Sequence, residues 1–396
     1  TSIDKQFDGK FSVENRYDYL NLNTCRFLWK QVKFPTATDT SNTTTQVLKE
    51  GEVQGSDVAA HSTGILDIKT TILPNADALF LTAIDKYGHE LWRWTFPVDK
   101  LNQTNEVFSP LSGKATYSET ENELTVKAKN HTFIFSKRDG QLKGVSVNNH
   151  KISFANGPRF IGARRADRSL DQFYNHDDEK AKEKDRTYSE FPDAAVFTKL
   201  EVKEDGGNLI VTANYKLGNL DKAQWTINPN GEAALDYTYN FSGVVDLIGI
   251  SFDYPEDQVI SKRWLGAGPY RVWQNRIHGT QYDVWENDYN DPIPGETFTY
   301  PEFKGYFDSV SWMNIRTKEG TISLTNETPD SYIGVYQPRD GRDRLLYTLP
   351  ESGISVLDVI PPVRNKVNST DLCGPSSQPK WVNGPQTGRI IFRFME

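Results

Sequence analysis

The chain has 396 residues, with 45 Lys plus Arg against 53 Asp plus Glu and a formal net charge of -8. That length exceeds one ordinary domain and suits two or three, each able to bury its own core. No Lys/Arg block breaks the acidic balance, so a nucleic-acid partner is not expected, and no apolar run approaches the roughly 20 residues that a membrane-spanning helix needs.

In chain order, the first 100 residues carry a β pattern that closes with the strand-like run LWRWTFPVDK, residues 91–100. A polar stretch from Leu101 to Asn122 follows, and a linker is placed at 106–120. Asn122 to Ala128 alternates as a strand does. His131 to Val147 reads as a hairpin: Phe133 and Phe135, the turn Lys137-Arg138-Asp139-Gly140, then Leu142, Val145 and Val147. Ser169 to Arg186 alone looks helical or irregular, with Ser169 as a cap and a charged DDEKAKEK run forming a solvated face. Leu209 to Leu217 alternates again, and Leu235, Tyr237, Tyr239 and Phe241 fall on one face of a strand opposite Asp236, Thr238 and Asn240. The fold is therefore expected to be all-β: a sandwich of immunoglobulin-like size over 1–105, and a larger β region over 121–396 that composition leaves open between one big double sheet and two small ones.

Cys25 and Cys373 stand alone, without zinc or redox spacing, and are taken as free thiols. Neither has a nearby His in sequence and no G-x-S-x-G elbow occurs, so no serine or cysteine nucleophile is nominated. No metal site is nominated, and composition names no cofactor. The N-terminal TSIDKQFDGK lacks the pattern of a signal peptide. Six N-x-S/T sequons, at Asn42, Asn102, Asn130, Asn240, Asn326 and Asn368, matter only in a secretory eukaryotic setting. Aromatics make up 12%, with 9 Trp, 18 Tyr and 21 Phe, which suits either stacking on sugar rings or the cores of β-sheets.

Two motifs carry a family resemblance. Trp264 to Arg276, WLGAGPYRVWQNR, resembles the WLG-x-GP-x-x-x-x-x-x-R signature in the C-terminal domain of family 2 glycoside hydrolases of the β-galactosidase type. Val13 to Phe27, VENRYDYLNLNTCRF, is similar to the E-N-(R/K)-Y-x-F-x-(D/N)-L opening of the immunoglobulin-like domain that precedes it there. The resemblance implies an immunoglobulin-like sandwich followed by a galactose-mutarotase-like β-supersandwich over 121–396. It also implies a catalytic barrel, typically of about 250 residues, ahead of the first motif, with two glutamates about 5–5.5 Å apart as nucleophile and acid/base. The chain begins about a dozen residues ahead of that motif and shows no strand–helix alternation, so the expectation is a non-catalytic C-terminal region of a longer hydrolase. Its partners would be carbohydrate and the barrel of the same polypeptide; a periplasmic or secreted setting would follow if the parent degrades polysaccharide. The competing reading is a carbohydrate-binding or scaffold protein acting alone.

The resemblance extends to three further segments. Pro158 to Asp171 looks like F-x-R-A-P-x-D-N-D, keeping Arg165 and Ala166 but placing Asp167 at the proline. Tyr300 to Gly305 takes the place of P-Q-E-N-G, keeping Pro301 and Gly305. Asp371 to Pro375 falls on D-S-W-x-P, whose Trp helps form the substrate rim; Cys373 stands at that position, and a thiol offers no flat apolar face to a sugar. Trp381, eight residues on, is a substitute, and the change turns expectation from lactose toward another β-linked sugar. Candidate substrate-binding residues are thus Tyr270, Arg271, Trp273, Trp285, Asp371, Cys373 and Trp381, while Trp264, Gly266, Gly268 and Pro269 are read as shaping a strand end and tight turn. The acidic cluster from Trp285 to Asp291 is read as turn-capping rather than catalytic. Mutarotase chemistry would need a His and a Glu; His278 is the best placed of six His, and a surface-loop role suits it better.

Overall fold

The computed structural model describes residues 2–4, 6–39, 43–98, 113–165, 188–191, 194–288, 305–328, 330–335, 352–362 and 374–396. Among these, strands dominate, and the helical pieces are short 3-10 turns such as Leu22–Thr24 and Glu256–Gln258. No helix among the described residues is long and apolar enough to cross a membrane. The expected helical stretch from Ser169 to Arg186 lies outside the described residues. The chain divides into two compact units, Thr1–Val107 with Gln281–Val284, and Phe108–Thr280 with Trp285–Glu396.

The first unit is an immunoglobulin-like sandwich. Its strands are β1 (Lys10–Asn15), β2 (Arg26–Lys33), β3 (Gln46–Gln54), β4 (Ser62–Asp67), β5 (Ala78–Ile84) and β6 (Glu90–Pro97). They form a two-stranded sheet, β1-β4, and a four-stranded sheet, β3-β2-β5-β6. Alternation along β2 sends Phe27 and Trp29 inward, where they meet Leu66, Leu79 and Leu81 in one apolar cluster. The E-N-R-Y motif works here through Asn15. Its buried amide donates to Leu20 O at 2.8 Å and Val58 O at 2.9 Å and its Oδ1 accepts from Tyr17 N at 3.0 Å, so one side chain satisfies three backbone groups where β1 ends. Cys25 is a buried free thiol that donates to Tyr17 Oη at 3.7 Å; burial and this contact push the Tyr17 phenol up to about 12. Cys373 lies outside the described residues.

The second unit begins with β7 (Thr116–Glu119), β8 (Glu123–Ala128), β9 (His131–Ser136), β10 (Leu142–Val147), β11 (His150–Ile152), β12 (Ala155–Arg165) and β13 (Tyr188–Glu190). It continues with β14 (Val196–Asp205), β15 (Asn208–Lys216), β16 (Leu220–Ile227), β17 (Ala233–Val245), β18 (Leu247–Asp253), β19 (Val259–Gly268) and β20 (Gln281–Asn287). The last strands are β21 (Phe307–Asp308), β22 (Trp312–Thr317), β23 (Gly320–Asn326), β24 (Tyr332–Gly334), β25 (Ile354–Val359) and β26 (Lys380–Met395). The expected linker over 106–120 needs correcting at its end: Thr116–Glu119 pairs antiparallel with β8, because its backbone completes the sheet edge, while 106–112 lie outside the described residues.

An eleven-stranded sheet runs β21-β24-β25-β18-β12-β10-β9-β8-β7, with β11 on β10 and β13 on β12; a nine-stranded sheet runs β14-β15-β16-β17-β26-β23-β22-β19-β20. This is the β-supersandwich. The anticipated hairpin pairs Leu142 with Phe135, and its turn needs Gly140 (φ +74°), where a Cβ would lie 2.7 Å from the Phe197 ring. On β17, Leu235, Tyr237 and Tyr239 are buried and Phe241 packs at the margin, as the alternation predicts.

The inner faces of both sheets share one core. Phe154 stacks on Phe252 at 4.5 Å between centroids and lies 5.1 Å from Phe392 and 5.3 Å from Phe394; Trp225 meets Phe135, Phe252 and Phe392 at about 6 Å. Phe135 and Phe252 come from one sheet, Trp225, Phe392 and Phe394 from the other, and Phe154 from the β11–β12 connection, so each ring buries apolar surface that its own element cannot cover. One carboxyl enters this layer's margin. A register shift leaves Asp358 as the extra residue of a bulge in β25, and it accepts a hydrogen bond from Tyr239 Oη. Burial holds Asp358 above the ordinary carboxylate range, the tyrosine bond pulling the other way.

Phe154→Ala removes a fully buried ring held by three others and is expected to cost about 3–5 kcal/mol in urea denaturation. For Asp358, a raised folded-state pKa means its contribution is complete while the carboxyl is protonated in both states and is lost as pH rises through the folded value. Asp358→Asn keeps a carbonyl acceptor for Tyr239 and cannot ionise, so its denaturation midpoint at neutral pH is expected to exceed that of the wild type, with the two converging in acid.

Candidate functional site

The WLGAGP signature ends β19 and works mainly through packing. Trp264 is fully buried, sets its ring edge-on to Phe307 of the facing sheet at 4.9 Å, and donates Nε1 to Ala267 O at 3.1 Å. Gly268 is required for another reason: a Cβ there would lie 2.4 Å from Trp285 Cδ1. The Trp285 ring fills that space and donates Nε1 to Gly266 O at 3.2 Å. Trp285, expected to face sugar, is therefore half-buried against the main core, because a bare glycine backbone offers the flat surface it needs. Of the acidic cluster, residues 289–291 lie outside the described residues, and Glu286 and Asp288 are exposed.

Beyond the turn the chain covers the outer face of the eleven-stranded sheet. Alternation on β12, β18 and β25 directs Phe160, Ile250 and Val356 inward and Ile161, Leu247 and Leu357 outward. Val272 and Trp273 cover this outer layer together with Tyr306, Tyr332 and Ile360. Val272 and Tyr306 exchange two backbone hydrogen bonds, of 2.7 and 2.9 Å, and the Trp273 ring meets Tyr306 edge-on at 5.5 Å. Trp273, expected on a groove, is thus 7% exposed; apolar outer-face residues that need a cover claim it. Arg271 is half-buried, Tyr270 is 65% exposed at the tip, and His278 lies on an exposed turn.

This covering segment is tied to the one leading into β26. Gln274 Nε2 donates to Gln378 O at 2.7 Å and Asn275 Nδ2 to Ser377 Oγ at 2.9 Å. Trp381, three residues past Gln378, is 69% exposed. Asp371 and Cys373 lie outside the described residues, as do Ala166, Asp167 and residues 300–304.

The same outer face carries a carboxyl that sequence reading missed. Asp308 stands opposite Tyr332 in the β21–β24 pair, and Ser309 Oγ donates to its Oδ1 at 3.1 Å. Burial raises Asp308 above the ordinary carboxylate range and Asp330 adds to this, while the Ser309 bonds and Lys380 oppose it. A carboxyl so placed can accept from a hydroxyl when ionised and donate when protonated. Its signal was the outward alternation of Tyr306 and Asp308 directly after the Tyr300–Gly305 motif. Lys262, also missed, is buried on the strand of the signature with Nζ 6.0 Å from the Phe307 ring centroid. Among the described residues no group of three or more His, Cys, Asp or Glu converges to hold a metal. Of the sequons, Asn326 is closed to modification: its amide is buried and donates to Val310 O and Ser331 Oγ.

Solved structures and one family model are similar to this chain. Among solved structures, the chain is similar to a galactose 1-epimerase from Lactobacillus acidophilus (10% identity, TM-score 0.41, covering 72% of this chain and 99% of that one). It is also similar to a GalM/aldose epimerase homologue from C. elegans (8%, TM-score 0.32, 71% and 99%) and a putative mutarotase from Salmonella typhimurium (8%, TM-score 0.32, 72% and 94%). No curated protein matches it. The family described as the beta galactosidase small chain matches residues 127–350. That match takes in the greater part of the supersandwich, including the WLGAGP signature and Asp308, and spans more than half of the sequence, so the chain belongs to the beta galactosidase small chain family.

Proposed function

We propose that this chain is the non-catalytic C-terminal region of a β-galactosidase-like retaining glycoside hydrolase, in which the supersandwich supports a catalytic barrel and lends residues to the rim of its substrate pocket. The observation that carries this reading is the clamp of Gln274 and Asn275, within the signature segment, to residues 377–378. It ties the signature to residues that follow directly on 371–375, the segment on which the resemblance sets the family's substrate rim. In this reading Tyr270 and Trp381 supply exposed aromatic faces for the C–H surface of a sugar. Asp308 and Lys380 supply hydrogen-bonding and charged groups on the same side of the fold; Asp371 and Cys373, outside the described residues, stay candidates on the family resemblance alone. The parent reaction is hydrolysis of a terminal β-glycoside, with both catalytic carboxylates on the barrel.

The exposure of Tyr270 and Trp381 also favours a second reading, a carbohydrate-binding protein that acts alone. An immunoblot of the source organism separates the two. A product far above 45.0 kDa is expected, and a product of that size would overturn the first reading in favour of the second. The rim itself is tested by titrating the chain with galactose-terminated oligosaccharides while following tryptophan emission. Trp381→Ala and Tyr270→Ala are each expected to weaken binding by roughly tenfold, with the urea denaturation midpoint unchanged because both rings face solvent. Asp308→Asn is expected to remove any pH dependence of binding near the acid limb; a wild-type profile in that variant would remove Asp308 from the rim.

A further inference from the structure

β1 is paired on one side only. Among the described residues it forms a two-stranded sheet with β4, and β6 ends the four-stranded sheet of the same unit. A cleft of about 480 Å3 runs between these strands, lined by the seven consecutive residues from Phe11 to Tyr17. A cleft over one face of a strand would touch alternate residues. Contact with every residue means that it follows the strand's edge, where unpaired N–H and C=O groups point. Across it stand Leu91 and Trp94 of β6, 46% and 41% exposed.

The solvent-facing side of β1 specifies what fits. Lys10, Ser12 and Glu14 are exposed along the strand, flanked by exposed Asp8 and Arg16. About Ser12 the charges are antisymmetric: negative and positive on one side, negative and positive on the other. A second β1 laid antiparallel and centred on Ser12 therefore sets Lys10 against the partner's Glu14, and the converse, with Phe11 opposite the partner's Val13, while Asp8 and Arg16 lie beyond the two ends of the strand. Centring on Val13 or on Phe11 parts Lys10 from the partner's Glu14. Edge charges ordinarily discourage pairing; these favour one register. Within the chain, Lys10 pairs with Asp8 at 3.4 Å and Arg16 with Glu14 at 2.8 Å, all on exposed side chains, so exchanging those partners costs little.

We propose that the chain forms a two-fold dimer through β1, a second copy extending the sheet to β4-β1-β1-β4, covering the cleft and sheltering Leu91 and Trp94. The inference is independent of the proposed function. Sedimentation equilibrium of the whole chain is expected to show a dimer that weakens as salt is raised. Lys10→Glu and Glu14→Lys, each setting like charges opposite one another twice across the two-fold axis, are each expected to weaken the dimer by roughly tenfold or more. An equimolar mixture of the two variants is expected to form a heterodimer. The double variant is expected to dimerise again although neither chain-internal ion pair survives in it, which separates pairing across the interface from damage to β1; circular dichroism checks that each variant is folded. A monomer at all concentrations would overturn the proposal. So would a dimer indifferent to both single reversals, or a monomer that binds an apolar dye such as ANS in the cleft.

Discussion

The burial of aromatic rings between two broad antiparallel sheets is the interaction on which the second unit depends. Neither sheet can cover its own inner face, and Trp225, Phe252 and Phe392 come from strands far apart in sequence, joined by Phe154 of the β11–β12 connection. Their packing brings distant parts of the chain together and fixes which strand faces look outward. The outer layer then follows: once Phe160 and Val356 point in, Ile161 and Leu357 must point out, and the segment after the signature is needed to cover them.

The most recognisable residues of the chain are for the most part structural. Trp264 locks β19 to the facing sheet through Phe307, and Gly268 makes room for Trp285. A side chain or backbone site that only one residue type can fill leaves a strong pattern in sequence. Of the residues proposed to meet a ligand, Tyr270 lies within the signature but past its packed turn, and Trp381 and Asp308 lie on elements that the patterned residues position. This division is common where a rigid scaffold presents a site on its loops and strand ends.

Sheet faces pose the problem in one unit and a sheet edge in the other. In the supersandwich, Asp358 on its bulge and the outer-layer segment complete sheet faces with side chains from elsewhere in the unit. In the immunoglobulin-like sandwich, β1 keeps an unpaired edge among the described residues, beside an apolar cleft, and its outward side chains carry a positive and a negative charge either side of Ser12. An edge of that kind selects among partners by electrostatics, since backbone pairing alone would accept any extended segment.

What the sequence by itself determined is local or periodic. The all-β class, the 131–147 hairpin with its Gly-containing turn and the inward face of β17 are all legible because period-two alternation and turn chemistry act over a few residues. The family likeness was legible at the signature for the same reason. The tertiary structure alone decided which rings are buried: Trp273 and Trp285 look no different in sequence from Trp381, yet two pack against the fold and one faces solvent. It also decided that Asp308 stands opposite Tyr332 with Lys380 acting on it, and that Asp358 meets Tyr239, 119 residues away. Burial and protonation belong to the surroundings of a group, and in a sandwich of long-range antiparallel pairs those surroundings are assembled from remote strands that no window of sequence contains.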